Sequence, residues 1–231
     1  MNHLPDGYTA LVAGATGAIG QAFVRQLRAD SRCGHVIELS RSSDPALQLD
    51  DKASLRALPH ALAGTAPLHL VIDATGALTL DGNTPEKRLE ELEAERLQRA
   101  MTINAIGPIL LLRHLHPLLA RGEGTIWAKL SARVGSIEDN HKGGWYGYRA
   151  SKAALNMLLQ TAAIEIARRR PLCVVAALQP GTVRSPLSMP FVGDAAMSPD
   201  DAARGLLLAL DRLTPNGRAH FIDYKGEPIP W

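Results

Sequence analysis

Short apolar runs alternate along the chain with longer stretches of helical spacing. The apolar runs are rich in β-branched residues and predict strands. Several are nearly continuous rather than alternating, as expected of strands that helices cover on both faces. The predicted strands are Tyr8–Gly14, His35–Ser40, Leu68–Gly76, Gly124–Ser131, Leu172–Gly181 and Ala219–Tyr224, with Ala46–Asp50 as a shorter candidate.

The segments between these strands have helical spacing or helix-forming composition. In the stretch 85–104 the apolar side chains fall roughly on one face, and a coiled coil is the alternative, but the apolar heptad does not persist. The predicted helices are Ala18–Ala29, Ser54–Ala63, Pro85–Asn104, Pro108–Ala120, Tyr148–Arg169 and Pro199–Leu213. Strands alternating with helices predict a doubly wound parallel α/β sheet, and one domain spanning 1–231 suffices.

Composition excludes several classes of protein. With 46% hydrophobic and 21% charged residues, the chain is typical of a soluble globular protein, and a net charge of +2 gives no nucleic-acid footprint. Cys33 and Cys173 are isolated, which favours a reducing compartment. No leader pattern and no apolar run of membrane-spanning length occurs, so the expected location is the cytoplasm. The histidines and cysteines form no metal-binding motif, and no G-x-S-x-G motif of a serine hydrolase is present.

Three glycines follow the first predicted strand directly and open the first helix. Gly14, Gly17 and Gly20 are spaced three apart in "GATGAIG". Glycines here permit a tight turn and let backbone N–H groups and the positive helix end approach a pyrophosphate. A tight strand-to-helix turn also requires glycine, but the position after the first strand of an α/β chain favours a dinucleotide.

The end of the second strand indicates which dinucleotide binds. An acidic residue there would hold the ribose 2′-hydroxyl of NAD, but the chain reads Ser40-Arg41-Ser42, which suits a 2′-phosphate. NADP(H) is therefore favoured over NAD(H), with Glu38 as the ribose acid if the register is different. Asp50 could contact the adenine or could N-cap the next helix.

Two tyrosines precede a lysine at the start of the fifth predicted helix. Tyr148 and Lys152 are four residues apart and share a face, whereas Tyr146 lies before or at the helix boundary. A free tyrosine has a pKa near 10, and an adjacent ammonium favours the phenolate. Tyr148 is therefore the candidate proton donor and acceptor.

Nearly the whole chain resembles the short-chain dehydrogenase/reductase family. The resemblance is carried by "GATGAIG", "DATG" at 73–76, "TINAIGP", "KLSARVGS", "YRASK" at 148–152 and "PGTV" at 180–183. The segments "SARVGSI", "GGWYGYRASKAALN" and "FIDYKGEPIPW" are similar to the C-factor-like branch of that family.

The resemblance implies a role for each matching residue. Tyr148 would transfer the proton, and Lys152 would hold the nicotinamide ribose and lower the tyrosine pKa. Asn104 would fix a water of the proton relay, or alternatively satisfy an interrupted helix. Val183 would contact the carboxamide. The implied cofactor-binding positions are Gly14, Thr16, Gly17, Ala18, Ile19, Gly20, Ser40, Arg41, Ser42, Asp50, Asp73, Ala74, Gly76, Asn104, Tyr148, Lys152, Pro180, Gly181 and Val183.

Two departures from the family pattern stand out. The family usually has Asn-Asn-Ala-Gly where this chain has Asp73-Ala74-Thr75-Gly76, so the amide that ties neighbouring strands together is missing. Ser131-Ala132 replaces a pair of serines, and the stretch from there to the tyrosine is longer than usual. Ser131 is favoured as the carbonyl hydrogen-bond donor because it ends a strand, and Ser136 is the alternative.

The expected reaction is hydride transfer between NADP(H) and a carbonyl or alcohol. A substrate lid is expected at about 182–199, and its apolar residues favour a small lipophilic aldehyde or ketone. These lid residues are Leu187, Met189, Pro190, Phe191 and Val192. Trp145 could add to this wall, and Arg184 could instead grip an acidic substrate. A dinucleotide-binding sensor with little turnover and a purely structural protein are the alternatives. The resemblance implies a homodimer or homotetramer, with the helices at 85–104 and 148–169 as contact faces.

Overall fold

The computed structural model describes residues 1–65, 67–185 and 196–231, and within them six strands form one parallel sheet. The strands are β1 (Tyr8–Ala13), β2 (Cys33–Leu39), β3 (Leu70–Asp73), β4 (Thr125–Leu130), β5 (Cys173–Gln179) and β6 (Ala219–Asp223). They are hydrogen-bonded in the order β2-β1-β3-β4-β5-β6. The predicted doubly wound α/β fold is confirmed.

Helices cover both faces of this sheet. They are α1 (Ala18–Ala29), α2 (Lys52–Ala61), α3 (Ala94–Met101), α4 (Gly107–Leu115), α5 (Tyr146–Ala167) and α6 (Pro199–Leu210). Side chains of α2, α4 and α5 pack on one face of the sheet, and those of α1 and α6 pack on the other. The inner strands β1, β3, β4 and β5 therefore bury both of their faces, which explains their nearly continuous apolar pattern.

The direction of winding reverses at β1. Ala13, its last residue, pairs with Leu39 of β2 on one side and with Asp73 of β3 on the other. The chain leaves the ends of these strands in opposite directions, which opens a crevice at the carboxyl edge of the sheet. The glycine loop, the Ser40-Arg41-Ser42 turn and the Asp73–Gly76 turn all lie at this edge.

Two predicted elements are wrong. Ala46–Asp50 forms no strand, because Leu47 donates its backbone N–H to Ser40 rather than to a neighbouring strand. Pro85–Asn104 is helical only from Ala94, apart from one 3-10 turn at Leu89–Glu91. The residues around Glu86 lie instead against the start of α5, where Glu86 accepts hydrogen bonds from the backbone of Trp145 and Gly147.

The helix that carries the two tyrosines begins at Tyr146, two residues earlier than predicted. Trp145 precedes it in the left-handed conformation, at a φ of 54°. The N–H of Trp145 donates to the carbonyl oxygen of Glu86. Tyr146 and Tyr148 therefore both belong to α5, and only their direction around the helix separates them.

No helix in the described parts of the chain is both long and apolar enough to cross a membrane. The same residues contain no cluster of three or more histidine, cysteine, aspartate or glutamate side chains that could hold a metal ion.

Candidate active site

The glycine loop brings the start of α1 close to the end of β1. Gly14 has a φ of +79°, and a Cβ on Gly20 would lie 2.1 Å from the Gly14 carbonyl oxygen. Only glycine fits at Gly20 without moving this backbone. The first turn of α1 contains no acidic residue, and no side chain in the described structure caps it at Gly17. Its N–H groups are therefore available to an anion, which fits the pyrophosphate of a dinucleotide.

The turn after β2 presents hydroxyls and one cation. Ser40 Oγ lies 3.1 Å from Ser42 Oγ, and Ser43 Oγ accepts a hydrogen bond from Ser40 N–H at 2.8 Å. The Arg41 side chain is exposed, and its guanidinium makes no hydrogen bond or ion pair with the described residues.

Glu38, the alternative ribose-binding acid, is engaged elsewhere. Its carboxylate pairs with Arg28 of α1 at 2.5 Å. Asp50 is also engaged, since its carboxylate accepts from Arg99 Nη1 at 2.7 Å. Arg99 holds the pKa of Asp50 below its usual range. The alternative role of Asp50 as a helix cap is wrong, because Asp51 caps α2 by accepting from Ala53 N–H.

Tyr148 and Lys152 of α5 face the end of β4. Lys152 is 3% exposed, and its ammonium donates to the Leu130 carbonyl oxygen at 3.1 Å. Its Nζ atom lies 5.6 Å from the centre of the half-buried Tyr148 ring. Ser131, the residue after β4, donates to Asn156 Oδ1 at 2.7 Å. Helix α5 thus brings Tyr148 and Lys152 to the edge of the sheet where Ser131 lies.

Burial controls the protonation of this pair. It raises the pKa of Tyr148 to about 12. Burial and, to a smaller extent, the charge of Lys129 lower the pKa of Lys152 to about 7, and the charge of Asp73 opposes this lowering. The expected lowering of the Tyr148 pKa by Lys152 is therefore outweighed, and Tyr148 is a neutral phenol near pH 7.

Asn104 lies in a π-helical turn, Thr102–Ile106, between α3 and α4. Its Oδ1 accepts from Ala77 N–H at 2.9 Å, and its Nδ2 donates to the Ala77 carbonyl oxygen at 2.9 Å. The Asn104 amide therefore holds the turn after β3 instead of satisfying its own helix. A Cβ on Gly76 would lie 3.2 Å from Asn104 Oδ1 and 3.5 Å from Lys152 Nζ, so glycine lets this turn approach both side chains.

A cavity of about 220 Å³ connects these groups with the turn after β5. Ser131 and Tyr148 line it together with Pro180–Val183, whereas neither Tyr146 nor Ser136 does. Ser136 Oγ instead donates to the Trp231 carbonyl oxygen at 3.3 Å. The remaining lining side chains are mostly apolar: Ile19, Leu78, Ala132, Arg133, Val134, Trp145, Gln179 and Ser185. A carbonyl oxygen in this cavity could reach both a serine hydroxyl and a phenol.

The apolar lid residues 187 and 189–192 lie outside the described residues. Arg184, at the edge of that segment, is exposed and donates to the Ala196 carbonyl oxygen at 3.4 Å.

Three residues that the sequence analysis did not single out support the site. Lys129 of β4 pairs with Asp73 of β3 at 2.9 Å, and this ion pair ties the two strands where the family's amide is missing. Glu86 is 5% exposed and accepts from Gly147 N–H at 3.1 Å, which fixes the start of α5. Asn156 Oδ1 accepts the hydrogen bond of the Ser131 hydroxyl. For Lys129 the sequence offered one signal, a charged residue inside the apolar strand "TIWAKL".

Comparisons with known proteins show which family and fold the chain resembles. A sequence model of the short chain dehydrogenase family matches residues 8–195. The chain is 35% identical over 143 residues to C-signal of Myxococcus xanthus, covering 62% of this chain and 83% of that protein. It is 30% identical over 236 residues to 1-hydroxy-2-glutathionyl-2-methyl-3-butene dehydrogenase of Rhodococcus sp., covering 96% and 99%. A carbonyl reductase from chicken fatty liver, solved with bound NADPH, superposes with a TM-score of 0.84 at 23% identity, covering 99% and 95%.

Proposed function

Because the chain belongs to the short-chain dehydrogenase family, we propose that it is an NADP(H)-dependent oxidoreductase that interconverts a small lipophilic carbonyl compound and its alcohol. The observation that carries this proposal is the shared cavity. Ser131 and Tyr148 line it together with the Pro180–Val183 turn, and the buried Lys152 lies behind Tyr148.

The roles of the side chains follow from their protonation. When bound, NADPH would supply the hydride to the carbonyl carbon. Tyr148 donates its proton to the carbonyl oxygen, and its raised pKa keeps the phenol protonated and ready at neutral pH. Lys152, with a pKa of about 7, can hold or release a proton beside Tyr148. Reduction is therefore the direction for which the protein alone prepares Tyr148.

Ser131 polarises the carbonyl in this proposal. Its hydroxyl now donates to Asn156 Oδ1, while Asn156 Nδ2 is buried and has no hydrogen-bond partner among the described residues. Turning the Asn156 amide over would let Nδ2 donate to Ser131 Oγ and free the serine proton for the substrate. A fixed hydroxyl at this point stabilises the negative charge that develops on the oxygen.

The preference for NADP(H) rests on residues of this chain. The Arg41 side chain is exposed at the carboxyl end of β2, flanked by two serine hydroxyls. A guanidinium suits a 2′-phosphate, whereas Glu38 is paired with Arg28. In this proposal the glycine loop binds the pyrophosphate, and Asp73, Ala74 and Gly76 border the cofactor from the neighbouring turn.

The lipophilic substrate is supported by the apolar side chains of the cavity wall, including Leu78 and Trp145. The Rhodococcus relative is, by its name, a dehydrogenase of a hydroxy compound, which supports an alcohol and carbonyl pair. Exposed apolar side chains on α5, Met157 and Ile164, support a homo-oligomer. The cytoplasmic location stays a prediction of the sequence.

The experiment follows oxidation of NADPH and, separately, NADH against a panel of small aldehydes, ketones and diketones. Turnover that is faster with NADPH supports the proposal. If both cofactors bind without turnover on any substrate, the proposal is wrong and the sensor function takes its place, which the 35% identity to C-signal favours. A melting temperature that neither cofactor raises would leave only a structural role.

A further inference from the structure

A second buried lysine, with no part in the proposed proton transfer, lies below the site. Lys129 on β4 is 1% exposed, and its partner Asp73 is fully buried. The Lys129 ammonium donates to Asp73 Oδ1 at 2.9 Å, to the Thr75 carbonyl oxygen at 2.6 Å and to Thr75 Oγ1 at 3.0 Å. With a longer bond to the Asp73 carbonyl oxygen at 3.4 Å, these acceptors engage all three donors of the ammonium, so the Lys129 charge is held in one place.

The same contacts hold the turn after β3. Asp73 Oδ1 also accepts from Thr75 N–H at 2.9 Å. On the other side of the turn, Asn104 bonds both backbone groups of Ala77. Gly76 lies between these two anchors, close to the ammonium of Lys152. Lys129 and Asn104 therefore hold the two ends of the short Thr75–Ala77 turn, and this turn lies beside Lys152.

We propose that Lys129, held by Asp73, is a positioning residue of the reaction: it fixes the Thr75–Ala77 turn against Asn104 and Lys152 and places a second positive charge near Lys152. Its effect on turnover rests on the function proposed above. Its effect on the protonation of Lys152 does not, and can be measured without any substrate.

The charges that face Lys152 come from two strands and its own helix. Lys129 of β4 lowers the pKa of Lys152, Asp73 of β3 raises it by a smaller amount, and Tyr148 of α5 is neutral near pH 7. Removing the Lys129 charge should therefore raise the pKa of Lys152 whether Asp73 stays ionised or becomes protonated. If Lys129 only supports the turn and has no electrostatic role, its removal should lower stability and leave the pKa of Lys152 unchanged.

The experiment titrates Lys152 directly in the full-length protein by NMR of ¹³C-labelled lysine side chains, with Lys152→Met identifying the signal. In Lys129→Met the midpoint should move upward by about one pH unit, as expected for loss of a nearby like charge. Thr75→Val is the matched control, since it removes a hydroxyl from the same network but no charge, and its Lys152 midpoint should stay at the wild-type value.

Lys129→Met leaves a buried carboxylate without its cation and can fail to fold. In that event the double variant Lys129→Met with Asp73→Asn removes both charges, and the midpoint should still rise because Lys129 has the larger effect. An unchanged midpoint in the folded Lys129 variant would overturn the electrostatic role.

The pH profile of kcat with NADPH tests whether the effect of Lys129 on Lys152 also changes turnover. Its ionisation near neutrality should move in Lys129→Met in the same direction as the NMR midpoint. A moved midpoint with an unmoved profile would overturn the role in turnover. If the wild type reduces no substrate, the proposed function is wrong, and the NMR midpoint alone still decides the claim about Lys152.

Discussion

The Lys152 ammonium lies 5.6 Å from the centre of the Tyr148 ring, and it donates its hydrogen bond to the Leu130 carbonyl oxygen at 3.1 Å. One turn of α5 joins the two side chains, and the end of β4 holds the lysine in place. Burial of this pair shifts both pKa values against ionisation, down for Lys152 and up for Tyr148. The folded state therefore favours the neutral form of both side chains, and its stability should depend on pH.

The free energy of unfolding should rise with pH above about pH 7. Burial lowers the pKa of Lys152 to about 7, so between pH 7 and pH 9 the unfolded chain holds a proton that the folded chain has released. Stability then increases by up to roughly 1.4 kcal/mol per pH unit from this group. Below pH 7 both states hold the proton and the contribution is constant. Urea unfolding at several pH values measures this slope, and Lys152→Met should lack it. If the free energy of unfolding has the same dependence on pH in the wild type and in Lys152→Met, the prediction is wrong.

Tyr148→Phe should lower kcat by roughly 10²- to 10⁴-fold, because the phenol is the only proposed proton donor to the oxygen. NADPH affinity should change little, since the ring and Lys152 remain. Tyr146→Phe is the matched control, because this tyrosine belongs to the same helix but does not line the cavity that Ser131 and Tyr148 share. Steady-state kinetics and a fluorescence titration with NADPH separate the two effects. Retained turnover in Tyr148→Phe together with loss in Tyr146→Phe would move the role to Tyr146.

Ser131→Ala should lower kcat by roughly 10²-fold, since it removes the hydroxyl that polarises the carbonyl. Ser136→Ala should leave kcat near the wild-type value and lower stability by about 1 kcal/mol, because Ser136 bonds the backbone of Trp231 and Asp139. The two variants are compared by kcat and by urea unfolding. The reverse result would identify Ser136 as the donor to the substrate.

Arg41→Asp should weaken NADPH binding by about 10- to 100-fold and turn the preference toward NADH, because a charged hydrogen bond contributes about 1.5–3 kcal/mol. Arg218→Asp makes the same change of charge at an exposed residue before β6, at the opposite edge of the sheet from the cofactor crevice. It should leave both dissociation constants unchanged. If Arg41→Asp keeps the preference for NADPH, another residue reads the 2′-phosphate.

Gly20→Ala should lower both the melting temperature and the affinity for NADPH. The added Cβ would lie 2.1 Å from the Gly14 carbonyl oxygen, so the loop must shift, at a cost of about 1–3 kcal/mol or more. Gly64→Ala is the control, since a Cβ there would have no atom within 4 Å. Thermal unfolding with and without NADPH measures both effects. An unaltered Gly20→Ala protein would show that this close approach does not matter.

Much of the fold can be predicted from the local pattern of apolar and polar residues. Continuous apolar runs and helical spacing predict strands covered on both faces, and the structure confirms the parallel sheet. The two elements that were wrong depend on distant partners. Ala46–Asp50 has strand-like composition, but its backbone turns back on Ser40. The residues around Glu86 have helical spacing, but they hold the start of α5, far along the chain, and no local pattern contains that contact.

The sequence by itself determined the family and the residue types of the candidate site, because the glycine spacing, the Tyr-x-x-x-Lys pair and the order of motifs are local signals. Only the tertiary structure decided which charges face one another. Lys129 and Asp73 lie on different strands, and only the parallel register of β3 and β4 makes them direct neighbours. Burial of that pair next to Lys152 then governs the protonation of the site, since desolvation and charge depend on distances in space rather than on spacing along the chain.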